Sequence, residues 1–145
     1  MSDVKIYKNS TDKPFDSFLE DLTREIEAEG FNIYHRDKSD LVAFYCAQGV
    51  EMPEGYRHVM FQICKPENSG KSIPVNPERC VFLHKYIFIY TTGGKTEIRF
   101  LGYTAELIGD MLGHNEFTKG PSDDDFATRM NSTYAVIEKI VARAV

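Results

Sequence analysis

Three strongly apolar segments between Tyr56 and Tyr103 constrain the fold of this chain more than any other feature. They cover residues 56–64, 80–90 and 95–103, and their β-branched and aromatic content is typical of strands. Gly93 and Gly94 separate the last two segments, and this pair suits a two-residue hairpin turn, whose central residues take positive φ. The segments therefore predict neighbouring strands of one sheet, with a tight hairpin between the second and the third.

The hairpin also predicts which side chains share a face, since successive residues of a strand point to opposite sides of the sheet. A two-residue turn pairs Thr92 with Lys95 and Ile89 with Ile98. One face, expected beneath helices, then carries Val59, Phe61, Ile63, Ile87, Ile89, Ile98 and Phe100. The opposite face carries His58, Met60, Gln62, Cys64, Tyr86, Phe88, Tyr90, Glu97, Arg99 and Leu101. A register slip of one residue would exchange the two faces.

The rest of the chain predicts helices, two short strands and two long loops. Helices are predicted at 14–29, 41–48, 104–112 and from residue 122 onward, short strands at 4–7 and 31–36, and loops at 65–79 and 114–121. Asp123, Asp124 and Asp125 suit the first turn of the last helix, where they complement the helix dipole. This order predicts an α+β fold, with a mainly antiparallel sheet of about five strands and two long helices on one face.

Size, cysteine content and charge limit the class of protein. With 145 residues, the chain is expected to form a single globular domain over residues 1–145. Cys46, Cys64 and Cys80 form no paired spacing, which argues against a secreted disulfide framework, and no apolar run reaches signal-peptide or membrane-spanning length. We therefore expect a cytoplasmic protein without a membrane partner. Its net charge of −5 argues against nucleic acid as a partner.

Several landmarks resemble an uncharacterised family, domain-of-unknown-function family 302. Glu29-Gly30-Phe31 matches the end of the family's amphipathic helix, and Cys64-Lys65-Pro66 matches its Cys-x-Pro element at a strand end. A long apolar strand, a glycine-rich hairpin and a C-terminal helix follow in the same order, so the similarity covers residues 15–144. The resemblance implies a TATA-binding-protein-like α+β fold and a dimer, with no established activity. The chain has His84-Lys85 where Pro-Cys is common in the family, so the second cysteine has no counterpart here.

The face rich in aromatic and methionine side chains is the best functional lead. Large apolar side chains are costly to leave in water, and a contiguous exposed patch marks a surface for a partner or ligand. We therefore predict a binding module that forms a homodimer, or binds an apolar small molecule, through this face. Its contact residues are predicted to be His58, Met60, Tyr86, Phe88, Tyr90 and Arg99. The alternative is that a short helix, 41–48 or 104–112, folds across the face.

A second hypothesis is an enzyme or redox protein that uses Cys64, with His84 as its base or as a metal co-ligand. Cys64 ends a strand beside Lys65 at the mouth of the 65–79 loop, and a nearby cation favours the reactive thiolate.

Gly94-Lys95-Thr96 leads into a strand and lacks the earlier glycine of a phosphate-binding loop. The sequence therefore predicts no cofactor and no resident metal.

Overall fold

The computed structural model describes residues 3–112 and 126–145 of the chain. Its strands form one antiparallel sheet in the order β1-β5-β4-β3-β2. The strands are β1 (Val4–Thr11), β2 (Asn32–Tyr34), β3 (His58–Cys64), β4 (Lys85–Thr92) and β5 (Lys95–Tyr103). The first strand therefore lies at one edge, beside the last strand, and β2 forms the other edge.

Two long helices cover one side of this sheet. The helices of the described ranges are α1 (Phe15–Ala28), α2 (Leu41–Ala47), α3 (Pro66–Ser72), α4 (Ala105–Leu112) and α5 (Phe126–Ala144). α1 and α5 pack against each other, and their apolar stripes form one core with the sheet. The α+β fold predicted from the sequence, with an antiparallel sheet and two long helices on one face, is confirmed.

The division of side chains between the two sides of the sheet follows the predicted alternation. The covered face carries the buried residues Val59, Phe61, Ile63, Ile87, Ile89, Ile98 and Phe100. Thr92 pairs with Lys95, and Ile89 pairs with Ile98, as a two-residue turn requires. Both turn glycines have positive φ, 55° for Gly93 and 84° for Gly94, which is the geometry of the favoured hairpin turn. The hairpin register predicted from the sequence is therefore confirmed.

The strand predicted from residue 80 begins only at Lys85. A short 3-10 helix occupies Pro77–Val81, and the Asn76 side chain caps it by accepting a hydrogen bond from the Glu78 amide at 3.1 Å. His84 then takes a φ of 60°, in the left-handed region that ends extended pairing. The apolar segment that begins at residue 80 therefore does not predict its first residues correctly, because Pro77 and the Asn76 cap just before it favour a helical turn.

Other boundaries also differ from the predicted ones. β2 covers only Asn32–Tyr34, because His35 takes a φ of 49° and a 3-10 turn follows it, and β3 begins at His58 rather than at residue 56. β1 continues through Thr11 because its ladder with β5 satisfies the backbone of the polar stretch as far as the Thr11–Thr96 pair. The predicted 65–79 loop contains α3 and is held by Arg79, which is fully buried. The Arg79 Nη1 donates to Ser72 Oγ at 2.9 Å, and its guanidinium lies 4.7 Å from the centre of the Phe126 ring. Arg79 thus links this segment to the start of α5.

The predicted loop at 114–121 and the aspartates at 123–125 lie outside the described residues. Within residues 3–112 and 126–145, no helix combines the length and the apolar character that crossing a membrane requires.

Candidate functional site

The side of the sheet opposite the covered face, here called the open face, carries a row of exposed apolar side chains. Ile6 pairs with Leu101, and Tyr34 pairs with Gln62, which in turn pairs with Tyr86. Ile6 is 57% exposed, Leu101 43%, Tyr86 41% and Tyr34 48%. These four residues, which we call the open-face row, run from the β1 edge of the sheet to the β2 edge.

The other predicted contact residues lie beside this row and are half-buried. Met60 pairs with Phe88 and His58 pairs with Tyr90, while Arg99 pairs with Phe88 from the other side. The Arg99 guanidinium is held in place because it donates to Glu97, to the carbonyls of Asn9 and Ile98, and lies over the Tyr90 ring. The sheet therefore brings all six predicted contact residues onto one face. Ile6 and Tyr34 belong to the same face and were not predicted.

Neither short helix buries the open-face row. α2 contacts β3 but leaves its own Phe44 and Tyr45 exposed, and α4 packs around Ile108 with Phe82 and Phe126 at the end of the sheet. The two helices therefore leave the open-face row exposed, although His58, Met60, Phe88 and Tyr90 beside it are half-buried.

His58 is the most constrained polar side chain of the open face. Its Nδ1 lies 2.6 Å from the Tyr56 hydroxyl, and its Nε2 is buried with no hydrogen-bond partner in the described part of the chain. Burial lowers the pKa of His58 below its ordinary value, because the charged ring would lose contact with water. The surroundings of His58 on the open face therefore favour its neutral form.

Cys64 and His84, the pair predicted for thiol chemistry, line one pocket at the end of β3 and β4. This pocket has a volume of about 330 Å³, and α3 and the first half of α5 form its other walls; we call it the strand-end pocket. No hydrogen bond joins the Cys64 Sγ to the His84 ring; Gln62 occupies the His84 Nδ1 at 2.7 Å. The structure therefore places the two side chains in one cavity without pairing them.

Lys85 also lines the strand-end pocket, and the sequence analysis did not single it out as a site residue. Its Nζ donates to the carbonyl of Phe82 at 3.2 Å and to Met130 Sδ at 2.8 Å, and it lies 4.3 Å from the centre of the Tyr134 ring. Burial lowers its pKa to about 7. The sequence alternation alone indicates that Lys85 points inward, because it places Lys85 on the same side of β4 as Ile87, toward the covered face.

Among residues 3–112 and 126–145, no group of three or more histidine, cysteine, aspartate or glutamate side chains is placed to hold a metal ion. Cys46, Cys64 and Cys80 are all free thiols. Any metal hypothesis for Cys64 and His84 would therefore need a third ligand from elsewhere.

No family model matches the sequence, and no curated protein does either. The solved structures of similar fold include the crystal structure of uncharacterized conserved protein DUF302 from Bacillus stearothermophilus, with a TM-score of 0.70. The similarity covers 97% of this chain and 98% of that chain at 14% sequence identity. The resemblance indicated by the sequence motifs is confirmed at the level of the fold. This chain therefore has a DUF302-like α+β fold, which it shares with a protein that is itself uncharacterized.

Proposed function

We propose that this protein is a cytoplasmic binding module that forms a homodimer by packing the open faces of two copies against each other. The observation that carries the proposal is the open-face row, which exposes Ile6, Leu101 and Tyr86 on three adjacent strands and Tyr34 on β2, beyond the half-buried Gln62 of β3. Exposed apolar patches of this kind mark interaction surfaces in soluble proteins. The sheet side chains of the covered face, by contrast, are buried in the core.

A second copy of the chain suits this surface better than a strongly charged partner. Beside the open-face row lie both signs of charge, since Arg99 and Glu97 form an ion pair at 3.3 Å and Lys8 pairs with Arg99 across β1 and β5. A two-fold axis brings the same patch onto itself, so acidic and basic groups of two copies can meet. A nucleic acid would instead require a surface of one sign, and the chain carries a net charge of −5.

The proposal is tested by light scattering after size exclusion, on a variant that changes only exposed side chains of the row. Tyr86→Lys combined with Leu101→Lys places two cations in the centre of the expected interface. We expect the wild type at twice the chain mass of 16.6 kDa and the double variant at 16.6 kDa. Phe88 and Tyr90 are less suitable for this test because both are half-buried in the single chain.

Val75→Lys combined with Val81→Lys is the matched control, because these valines are 58% and 67% exposed and lie outside the sheet. The control should keep the wild-type mass. A monomeric wild type, or an equal loss of mass in both variants, would reject the sheet-face dimer. Extra mass in a native mass spectrum of the wild type that the Tyr86→Lys, Leu101→Lys variant loses would instead indicate a small molecule on this face.

Thiol chemistry at Cys64 remains a second candidate, and the shared pocket of Cys64 and His84 is the observation that favours it. Their lack of a hydrogen bond weakens it, because an activated nucleophile is normally within reach of its base. Alkylation by iodoacetamide at pH 7 measures the reactivity of the thiol. A His84→Gln variant that reacts as fast as the wild type would exclude His84 as the base.

A further inference from the structure

The strand-end pocket has a charge that contrasts with the rest of the molecule. The chain has a net charge of −5, yet no aspartate or glutamate is among the described residues that line this pocket. Lys65 and Lys85 line it from the end of β3 and the start of β4. Lys65 lies 4.9 Å from the centre of the Phe31 ring, and the polar residues Asn68, Ser69 and Ser72 of α3 line the pocket beside it.

Lys85 is the cation deepest in the fold at this site. Its Nζ contacts a carbonyl, a thioether and an aromatic ring, and no carboxylate of the described residues pairs with it. A buried ammonium group without a counter-charge is costly, and its charged form is favoured only when an anion reaches it. Met130, which accepts one of its hydrogen bonds, also lines the pocket, so the amine lies at the pocket wall.

The apolar part of the pocket lining suits a hydrocarbon group. Phe31, Leu83, Phe126 and Val136 line the pocket, and its volume of about 330 Å³ is in the range of small-molecule sites. Apolar side chains beside cations, with no carboxylate among the described lining residues, suit an amphipathic acid: the apolar side chains contact the chain or ring, and a cation binds the charged group.

We propose that the strand-end pocket binds a small apolar monocarboxylic acid, whose carboxylate accepts a hydrogen bond from the Lys85 Nζ while its hydrocarbon part packs against Phe31 and Val136. This site is separate from the open-face row, so it stands or fails independently of the dimer. The acid supplies the counter-charge that the chain does not place beside Lys85 within its described residues.

Binding of such an acid takes up a proton above pH 7. The lysine is then mostly neutral in the empty pocket, and a neighbouring carboxylate favours its protonated form. The other titratable or charged groups around it come from its own segment, from the end of β3 and from α5: His84, Cys64, Lys65, Arg129 and Tyr134. None of these is a carboxylate, but the His84 imidazole can also accept a proton, so the Lys85→Met variant decides whether the proton taken up belongs to Lys85.

Titration calorimetry at pH 8 tests the proposal, with octanoate, benzoate and phenylacetate as probes and 1-octanol as the uncharged analogue. Measuring each acid in two buffers of different ionisation enthalpy gives the number of protons taken up. We expect uptake approaching about one proton per bound acid. We also expect the alcohol to bind about 10- to 100-fold more weakly than octanoate.

Lys85→Met keeps the length and apolar character of the side chain and removes the charge. It should weaken octanoate about 10- to 100-fold and abolish proton uptake. Lys71→Met is the control, because Lys71 lies on α3 outside the pocket lining, and it should bind as the wild type does. The proposal is overturned if none of the acids binds at millimolar concentration, if octanol binds as well as octanoate, or if the wild type takes up no proton.

Discussion

Neighbouring residues of β4 lie in opposite environments. Ile87 and Ile89 are fully buried between the sheet and the two long helices, whereas Tyr86, beside Ile87, is 41% exposed on the open face. The two faces share one backbone and one set of hydrogen bonds, so the difference comes from the side chains and from what covers them. Aliphatic side chains dominate the covered face, while aromatic, methionine and charged side chains dominate the open face. The fold needs the first face, and the second is the face that we propose for self-association.

The largest expected effect comes from removing one large side chain from each face of the sheet. Phe61→Ala should lower the free energy of unfolding by about 3–5 kcal/mol, because Phe61 lies in the core beneath the helices. Phe88→Ala on the open face should cost less than about 2 kcal/mol in the single chain, because Phe88 is half-buried. Urea denaturation at low protein concentration measures both. Equal costs would contradict the division of the sheet into a structural and an available face.

Lys85 is an exception on the covered side, and its removal should stabilise the protein. Lys85→Met should raise the free energy of unfolding by about 1–3 kcal/mol at pH 7, since it removes a buried charge that has no carboxylate partner among the described residues. The folded pKa of about 7 lies below the ordinary value of 10.5, so the unfolded chain binds the proton first as pH falls. Wild-type stability should therefore decrease from pH 9.5 toward pH 7 relative to the variant.

Denaturation curves of both proteins at several pH values between 7 and 9.5 measure this difference. A constant gap over that range would show that Lys85 titrates normally in the folded protein.

Gly102 shows how closely the covered face is packed. A Cβ at this position would lie 2.7 Å from Cε2 of Tyr7 and 3.2 Å from Cγ of Tyr134. Tyr7 is stacked on Phe100 at 4.4 Å, so it has little room to move. Gly102→Ala should therefore cost about 1–3 kcal/mol by overpacking. Thermal unfolding of this variant and of Gly70→Ala gives the comparison.

Gly70 lies in α3, and a Cβ added there would have no neighbouring atom within 4 Å. Alanine at this position should therefore be neutral or stabilising by up to about 1 kcal/mol. The same sign of change at both positions would contradict the close approach of α5 to β5.

The smallest expected effect concerns His58 on the open face. Its pKa lies below the ordinary value of 6.5, so the unfolded chain takes up a proton first as pH falls below that value. Wild-type stability should then decrease from pH 7 to pH 5 relative to a His58→Met variant, by less than about 1 kcal/mol. Parallel stability curves for the two proteins would show that His58 is not shielded from solvent.

Much of the sheet could be predicted from sequence because its signals are local. The Gly93-Gly94 turn sets the register of β4 and β5, and that register assigns every side chain of the hairpin to a face. β5 begins and ends where the alternation predicts. The early part of the 80–90 segment was misassigned, because apolar content alone does not distinguish a strand from a short helical turn that begins at proline.

The rest depends on contacts between distant parts of the chain. The pairing of β1 with β5 places Ile6 beside Leu101, and that of β2 with β3 adds Tyr34 to the same row. No local pattern specifies which strands form the edges. The importance of Lys85 over its neighbour His84 likewise depends on α5, which supplies Met130 and Tyr134 around the amine.

Hydroxyl-radical footprinting of the wild type at low and at high protein concentration tests the central claim most directly, because it needs no mutation. The account predicts that Tyr86 and Tyr34 become protected as the concentration rises, while Met111, which is 58% exposed on α4, keeps its reactivity. Unchanged oxidation of Tyr86 and Tyr34 in a sample that sediments as a dimer would place the interface elsewhere. Unchanged oxidation in a sample that stays monomeric would contradict self-association itself.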